Sequence, residues 1–198
     1  PVGDKSVVDI GTRRELFVDD FLIANMTGAA ERRMHHPTPR EVVIAFDKPW
    51  EGNATAYCSV VEHEGKVRIY YNARPNWPGG GGQTTCVIES DDGIRFSRPN
   101  IGRFEHKGST DNNMLWRKGA SGHNFTVFKD PNPDAPADQR FKAIAYHPQG
   151  KGLGTYVSED GIDWRMLTDR KIIPRYHPET GKLQGGFDSQ NLAFWDAA

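Results

Sequence analysis

The sequence predicts an all-β protein, a β-propeller, with this chain covering two four-stranded blades and the start of a third. Three observations predict it. Ser90-Asp91-Asp92-Gly93-Ile94-Arg95-Phe96 recurs as Ser158-Glu159-Asp160-Gly161-Ile162-Asp163-Trp164, an offset of 68 residues. A second series, Tyr57-Cys58-Ser59-Val60-Val61, Asn124-Phe125-Thr126-Val127-Phe128 and Asn191-Leu192-Ala193-Phe194-Trp195, repeats at an offset of 67 each time. No stretch sustains a helical apolar period. Self-similarity at a long fixed period marks an architecture of stacked supersecondary units, and four strands per unit with Gly-containing turns is the grammar of a propeller blade.

The elements follow in chain order. Residues 1–52 form an N-terminal segment outside the repeat. Within it, Glu15 to Ile23 reads as an apolar strand interrupted by Asp19-Asp20, a candidate for closing the ring against the last blade. Pro37, Pro39 and Pro49 punctuate the path into the first blade, residues 53–120. There, Thr55–Glu62 is strand-like, His63-Glu64-Gly65-Lys66 is a hairpin turn, and Val67–Asn72 is β-branched and aromatic. A Gly-rich loop leads to a third strand over Thr84–Glu89, and Asp91-Asp92-Gly93 turns into a fourth, short strand where Phe96 packs inward. In the second blade, residues 121–185, the same four places fall to Asn124–Lys129, Phe141–Tyr146, Gly154–Ser158 and Asp163–Leu167. The loop Asp130–Asp138 holds three prolines and excludes regular structure. Residues 186–198 open a third blade. A propeller closes with about four blades or more, so the remaining blades are expected from further chain or a partner subunit.

Composition narrows the function classes. The chain has 198 residues, is 36% apolar with its 21 glycines outside that count, and carries a net charge of −1. It can build a core, but it offers no broad basic surface, so neither nucleic acid nor an anionic membrane is an expected partner. No apolar run approaches the about 20 residues of a membrane span, and the sequence shown contains no signal peptide. Cys58 and Cys86 both sit in strand-like runs, as buried thiols or as one bridge. No Cys/His spacing fits zinc, and no cofactor is expected. A channel cation such as calcium stays open.

Several stretches together resemble a known group: Glu15-Leu16-Phe17-Val18-Asp19-Asp20, Asp47-Lys48-Pro49-Trp50-Glu51-Gly52-Asn53, Glu89-Ser90-Asp91-Asp92-Gly93-Ile94, Asp111-Asn112-Asn113, His123-Asn124-Phe125 and Phe187-Asp188-Ser189-Gln190-Asn191. They resemble bacterial secreted proteins that are similar to the N-terminal catalytic domain of glycoside hydrolase families 32 and 43. The resemblance implies a five-bladed propeller, an extracellular or periplasmic location, and hydrolysis of furanosides or related plant and algal glycans at the channel mouth. It also implies carboxylates from the first three blades. Here the first blade offers Gly52-Asn53-Ala54-Thr55 and the second Ser121-Gly122-His123-Asn124, neither with an acid; only the third offers one, Asp188. The family's general acid is usually a third-blade Glu. A non-catalytic sugar-binding or protein-interaction propeller is the alternative.

Asp188 is therefore the candidate catalytic residue, as base or charge stabiliser, with turn capping as its structural role. Inner-strand starts converge at a channel mouth, so Asn53, His123, Asn124, Gln190 and Asn191 are candidates for sugar hydroxyls, or for bonding neighbouring backbone. His123 could equally be a core histidine or a cation ligand. Arg74 could clamp the carboxylate of an acidic sugar or brace its loop. Glu89, whose repeat counterpart is Val157, has either a site role or a surface ion pair. Trp77, before four glycines, is a candidate sugar-stacking platform. Asp111-Asn112-Asn113 reads as an Asx-type turn.

Overall fold

The computed structural model describes residues 7–75, 82–117, 122–150, 152–183, 186–188 and 190–196. Among these the protein is all-β: two antiparallel sheets, one 3₁₀ turn over Ala137–Gln139 and no α-helix. Two compact units are present, Pro1–Glu41 and Val42–Ala198. Residues 42–52, grouped above with the N-terminal segment, thus belong to the unit of the sheets.

The strand expected over 15–23 does not form; residues 7–41 contain none. The Asp19 carboxylate accepts a hydrogen bond from Phe21 N at 2.9 Å, and Ile23 N donates to Asp20 O at 3.1 Å. The double Asp folds the run into a turn, because a side-chain acceptor two residues back competes with a ladder.

The first sheet has order β1 (Thr55–His63), β2 (Lys66–Ala73), β3 (Thr84–Ser90), β4 (Met114–Trp116). The β1–β2 hairpin closes through Glu64-Gly65, both at positive φ (51° and 77°), as a two-residue turn between right-twisted strands demands. The second sheet comprises β5 (Thr126–Lys129), β6 (Phe141–Tyr146), β7 (Gly152–Ser158) and β8 (Arg165–Met166), with β9 (Ile173–Pro174) also pairing β7.

The outermost strand differs from expectation. After Asp92-Gly93 the chain returns to β3 through a single isolated bridge among the described residues, Glu89 to Ser97, and the outer place beside the start of β3 goes to β4. The second sheet splits its outer strand likewise, with Val157 facing Arg165 in β8 and Leu153 facing Ile173 in β9. Glu89–Ser97 and Val157–Arg165 are themselves one repeat apart. The third inner strand is also absent, since residues 190–196 join no ladder. Gln190 Nε2 donates to Cys58 O at 3.1 Å, so this segment lies beside β1 through a side chain rather than backbone pairing.

The repeated turn is reproduced bond for bond. Ser90 Oγ and Ser158 Oγ each accept from the Gly N–H at 2.9 Å, and Asp92 and Asp160 each accept from two N–H groups further on at 2.8–2.9 Å. Those backbone donors lower the Asp92 pKa to about 2. Trp164 Nε1 closes the second copy on Gly161 O at 3.0 Å.

The two sheets pack face to face. Val61, Tyr70, Val87 and Leu115 from the first meet Phe125, Val127, Phe141, Tyr156 and Trp164 from the second. β1 and β5 run side by side, and Val127 N donates to Ser59 Oγ across them at 3.2 Å. Tyr71, Cys86, Ile88 and Met114 line the other face of the first sheet, covered by Ile44, Phe46, Trp50, Phe96 and Phe104. A polar network is set into that cover. Glu51, fully buried, accepts from Arg98 at 2.8 and 2.9 Å, from Lys48 N at 2.9 Å and from Tyr71 Oη. Asn113 joins Tyr71 Oη and Trp50 Nε1 to it, while Asn112 Oδ1 makes the expected Asx turn with Met114 N at 3.1 Å. Cys58 and Cys86 are both free thiols, and burial pushes the Cys86 pKa up. Among the described residues no helix is long and apolar enough to cross a membrane.

Candidate functional site

β1 and β5 start at the same end of the paired sheets, and β2 finishes there because it runs antiparallel to β1. This brings Asn53, Tyr57, Arg74 and His123 to one edge. Tyr57 and Asn124, equivalent in the repeat, both take left-handed backbone (φ 57° and 55°), and a register shift between Ala56 and Ser59 bulges β1 at Tyr57. An aromatic residue there is strained by about 1–3 kcal/mol, and the bulge re-aims its side chain. The Arg74 guanidinium lies over the Tyr57 ring, 5.1 Å from its centroid. Arg74 Nε donates to Asn72 Oδ1 at 3.0 Å, and the buried Asn72 donates in turn to Gly122 O at 2.7 Å. The cation is therefore held in place from below.

His123 is the centre of the cluster. Its Nδ1 bonds to Gln83 Oε1. An amide oxygen only accepts, so Nδ1 carries the proton and Nε2 is the ring's acceptor. Nε2 lies 4.0 Å from Asp188 Oδ1. The ring sits 5.1 Å from Tyr146 and edge-on to Tyr57 at 6.3 Å. Burial and the Arg74 charge hold the His123 pKa below its ordinary value, with Asp188 opposing them. That direction favours the neutral imidazole, whose Nε2 can accept a hydrogen bond from a hydroxyl. Burial and Asp188 raise the Tyr146 pKa, with Arg175 opposing. Tyr146 Oη donates to Gly186 O, Asn191 Nδ2 to Phe187 O at 3.2 Å, and Gln190 to Cys58 O. These bonds strap the segment bearing Asp188 across the cluster. The Asp188 side chain stays 88% exposed.

The other candidates lie elsewhere. Asn124 is fully buried under the cluster. Glu89 pairs with Arg68 at 2.7 Å, near the opposite end of β2 from Arg74 and about 20 Å away at 3.3 Å per residue. Arg68 also reaches Asp160 O, so Glu89 braces one sheet against the other's turn. A cleft of about 650 Å³ opens at that far end, lined by His63, Glu64, Arg140 and Trp164 among others, and is crossed by the Arg165–Asp138 ion pair. Trp77 lies outside the described residues. No group of three or more potential metal ligands occurs among the described residues. Sequence reasoning missed Tyr57, Asn72, Gln83, Tyr146 and Arg175. Tyr57 alone had a signal, as the repeat counterpart of Asn124 and Asn191.

No family model matches the chain, and no curated protein is similar to it. Among solved structures it is similar to a glycosyl hydrolase from Bacteroides ovatus, with TM-score 0.40 and 14% identity over 64% of this chain and 33% of that one. It is also similar to a putative glycoside hydrolase from Parabacteroides distasonis, with TM-score 0.42 and 18% identity over 67% and 36%. A third, from the GH130 family of mannoside phosphorylases and described with glycoside hydrolases that target β-1,2 mannosidic linkages in Candida mannan, gives TM-score 0.40 and 18% identity over 67% and 35%. The chain spans about a third of the length of these structures. At such scores the functional reading rests on the cluster itself.

Proposed function

We propose that this chain belongs to a carbohydrate-active β-propeller and that the His123–Asp188 cluster handles sugar at the mouth of its channel. The observation that carries the reading is the convergence of Tyr57, Arg74, His123, Tyr146 and Asp188 on the edge where β1 and β5 both begin. Sugars present apolar C–H faces and hydroxyls that both donate and accept. The cluster answers with two aromatic rings, a neutral imidazole acceptor, a carboxylate and a fixed cation. Repeated sheets packed face to face with β1 beside β5 support the propeller.

In this reading the protein is a glycoside hydrolase of secreted type, acting on furanosides or related plant and algal glycans. Asp188 orients a hydroxyl, stabilises oxocarbenium-like charge or acts as base. Glycoside cleavage takes two carboxylates, and the second comes from outside this cluster. One observation favours non-catalytic sugar binding as a second reading: Asp188 is the one acid whose charge reaches both His123 and Tyr146 among the described residues.

The test is a panel of aryl glycosides and plant or algal polysaccharides, followed by reducing-end release and by binding. Asp188→Asn keeps shape but removes charge, and is expected to cut turnover at least about 10²-fold with little change in Tm. Sugar binding without product in the parent protein selects the non-catalytic reading. Turnover unchanged in Asp188→Asn removes Asp188 from the chemistry.

A further inference from the structure

Resting on the carbohydrate reading above, we propose that Gln83 is a positioning residue. It holds the His123 proton on Nδ1, leaves Nε2 as an acceptor, and so makes the cluster select a ligand that presents a free hydroxyl there. A neutral imidazole carries one ring proton, and two acceptors compete for this one. Gln83 Oε1 meets Nδ1 in a hydrogen bond. Asp188 Oδ1 faces Nε2 from 4.0 Å, beyond the reach of a direct N–H···O bond. Distance therefore assigns the proton to Nδ1, and the partner of one ring nitrogen sets the state of the other.

The contact is built by the backbone as well as by the two side chains. Gln83 directly precedes β3, and His123 lies just before β5, 40 residues further on. Gly122 lets the two stretches touch: a Cβ there would stand 2.3 Å from Gln83 O and 3.1 Å from Gln83 C. The buried Asn72 of β2 donates to Gly122 O at 2.7 Å and ties the same turn down. The rings of Tyr146 at 5.1 Å and Tyr57 at 6.3 Å pack near the imidazole and limit its rotation. With Nδ1 pinned, Nε2 pairs with an O–H donor and not with an ether oxygen, since two acceptors share no hydrogen. Asp188 Oδ1 is an acceptor too, so this face of the cluster asks for donors, which an O-methylated sugar lacks.

The proton is located by NMR of the protein labelled with heavy nitrogen at histidine, which distinguishes protonated from bare ring nitrogens; His123→Gln assigns the signals. The parent protein is expected to show the Nδ1–H form. Gln83→Met, similar in length but without the amide acceptor, should move the proton to Nε2 beside Asp188. Gln83→Glu should restore it to Nδ1. Calorimetry then compares an arabinan and a galactan oligosaccharide with their O-methylated forms. The better-bound sugar should bind Gln83→Met about tenfold more weakly than the parent protein, and Gln83→Glu nearly as well as the parent. Its preference over the O-methylated form should shrink in Gln83→Met alone, with near-UV circular dichroism confirming the fold. The Nε2–H form in the parent protein, or Nδ1–H retained in Gln83→Met, overturns the positioning role and leaves the carbohydrate reading standing. Equal binding of hydroxylated and O-methylated sugars overturns the selection. The expected tautomers with no binding of any sugar overturn the carbohydrate reading and the selection that rests on it.

Discussion

The same turn occurs twice in this chain, and it allows the packing between the sheets to be weighed apart from everything else. Gly93 and Gly161 hold equivalent places, at φ +72° and +75°, and each donates its N–H to the Ser Oγ of its own turn. Alanine at either site loses about 1 kcal/mol by entering left-handed backbone. The surroundings differ. A Cβ on Gly93 meets only Val67 Cγ2, at 3.8 Å. A Cβ on Gly161 overlaps Tyr70 Oη and crowds Arg68 Nη1 at 3.1 Å and Phe141 Cδ1 at 3.2 Å. Tyr70 and Arg68 belong to the other sheet, and Tyr70 is wholly buried, so it has nowhere to swing. Overpacking of this kind adds about 1–3 kcal/mol. Gly93→Ala is therefore expected to cost about 1 kcal/mol and Gly161→Ala about 2–4. In urea, a difference of about 2 kcal/mol separates the midpoints by about 1 M at an m-value near 2 kcal/mol/M. Equal midpoints with equal m-values would falsify the face-to-face packing of the repeats, because backbone strain alone would then account for both.

Two further outcomes follow from buried and titrating groups. Arg98→Met leaves the Glu51 carboxylate buried without its cation and should cost about 3–5 kcal/mol in urea unfolding, whereas Glu51→Gln/Arg98→Met, lacking any buried charge, should be more stable than Arg98→Met alone. For His123, the folded pKa lies below the unfolded value, so its contribution to stability is present at neutral pH and is lost as pH falls through about 6.5 toward the folded pKa. NMR titration of the ring should show a further fall in Asp188→Asn and a rise in Arg74→Gln, and the opposite signs would mean that these charges do not face the imidazole.

Much of the fold was legible in the sequence because its signals are local. Glu64-Gly65 at a two-residue hairpin, the β-branched run of β2 and the Ser-x-Asp-Gly turn each carry their own physics within a few residues, and each forms where expected. β4 was not legible, since Met114–Trp116 is a strand only because β3 offers it an open edge. The apolar run at 15–23 misled for the reverse reason: strand composition was present, but Asp19 bonds its own neighbour. The site divides the same way. His123 and Asp188 stood out from repeat position and resemblance, and Arg74 from its place after the Tyr70-Tyr71 strand, while Gln83 and Tyr146 reach the cluster only through strand pairing and long-range contact.

Differences between the repeats at one register position are informative only once the partner across the strand is known. Glu89 became a candidate because its counterpart, Val157, carries no charge. Across the strand, however, Glu89 faces Arg68, while Val157 faces Lys142, and Lys142 turns instead to Asp130. Each sheet neutralises the cation at this position with a different acid, so the missing charge in the second repeat is a relocated ion pair. Asp188 raises the same question at another repeat position. The equivalent places in the first two repeats carry Ala54 and Ser121, and its carboxylate is 88% exposed at 4.0 Å from a histidine already oriented by Gln83. The other two repeats fold without an acid at this place, and that difference is what supports the proposal that Asp188 takes part in chemistry rather than in the scaffold.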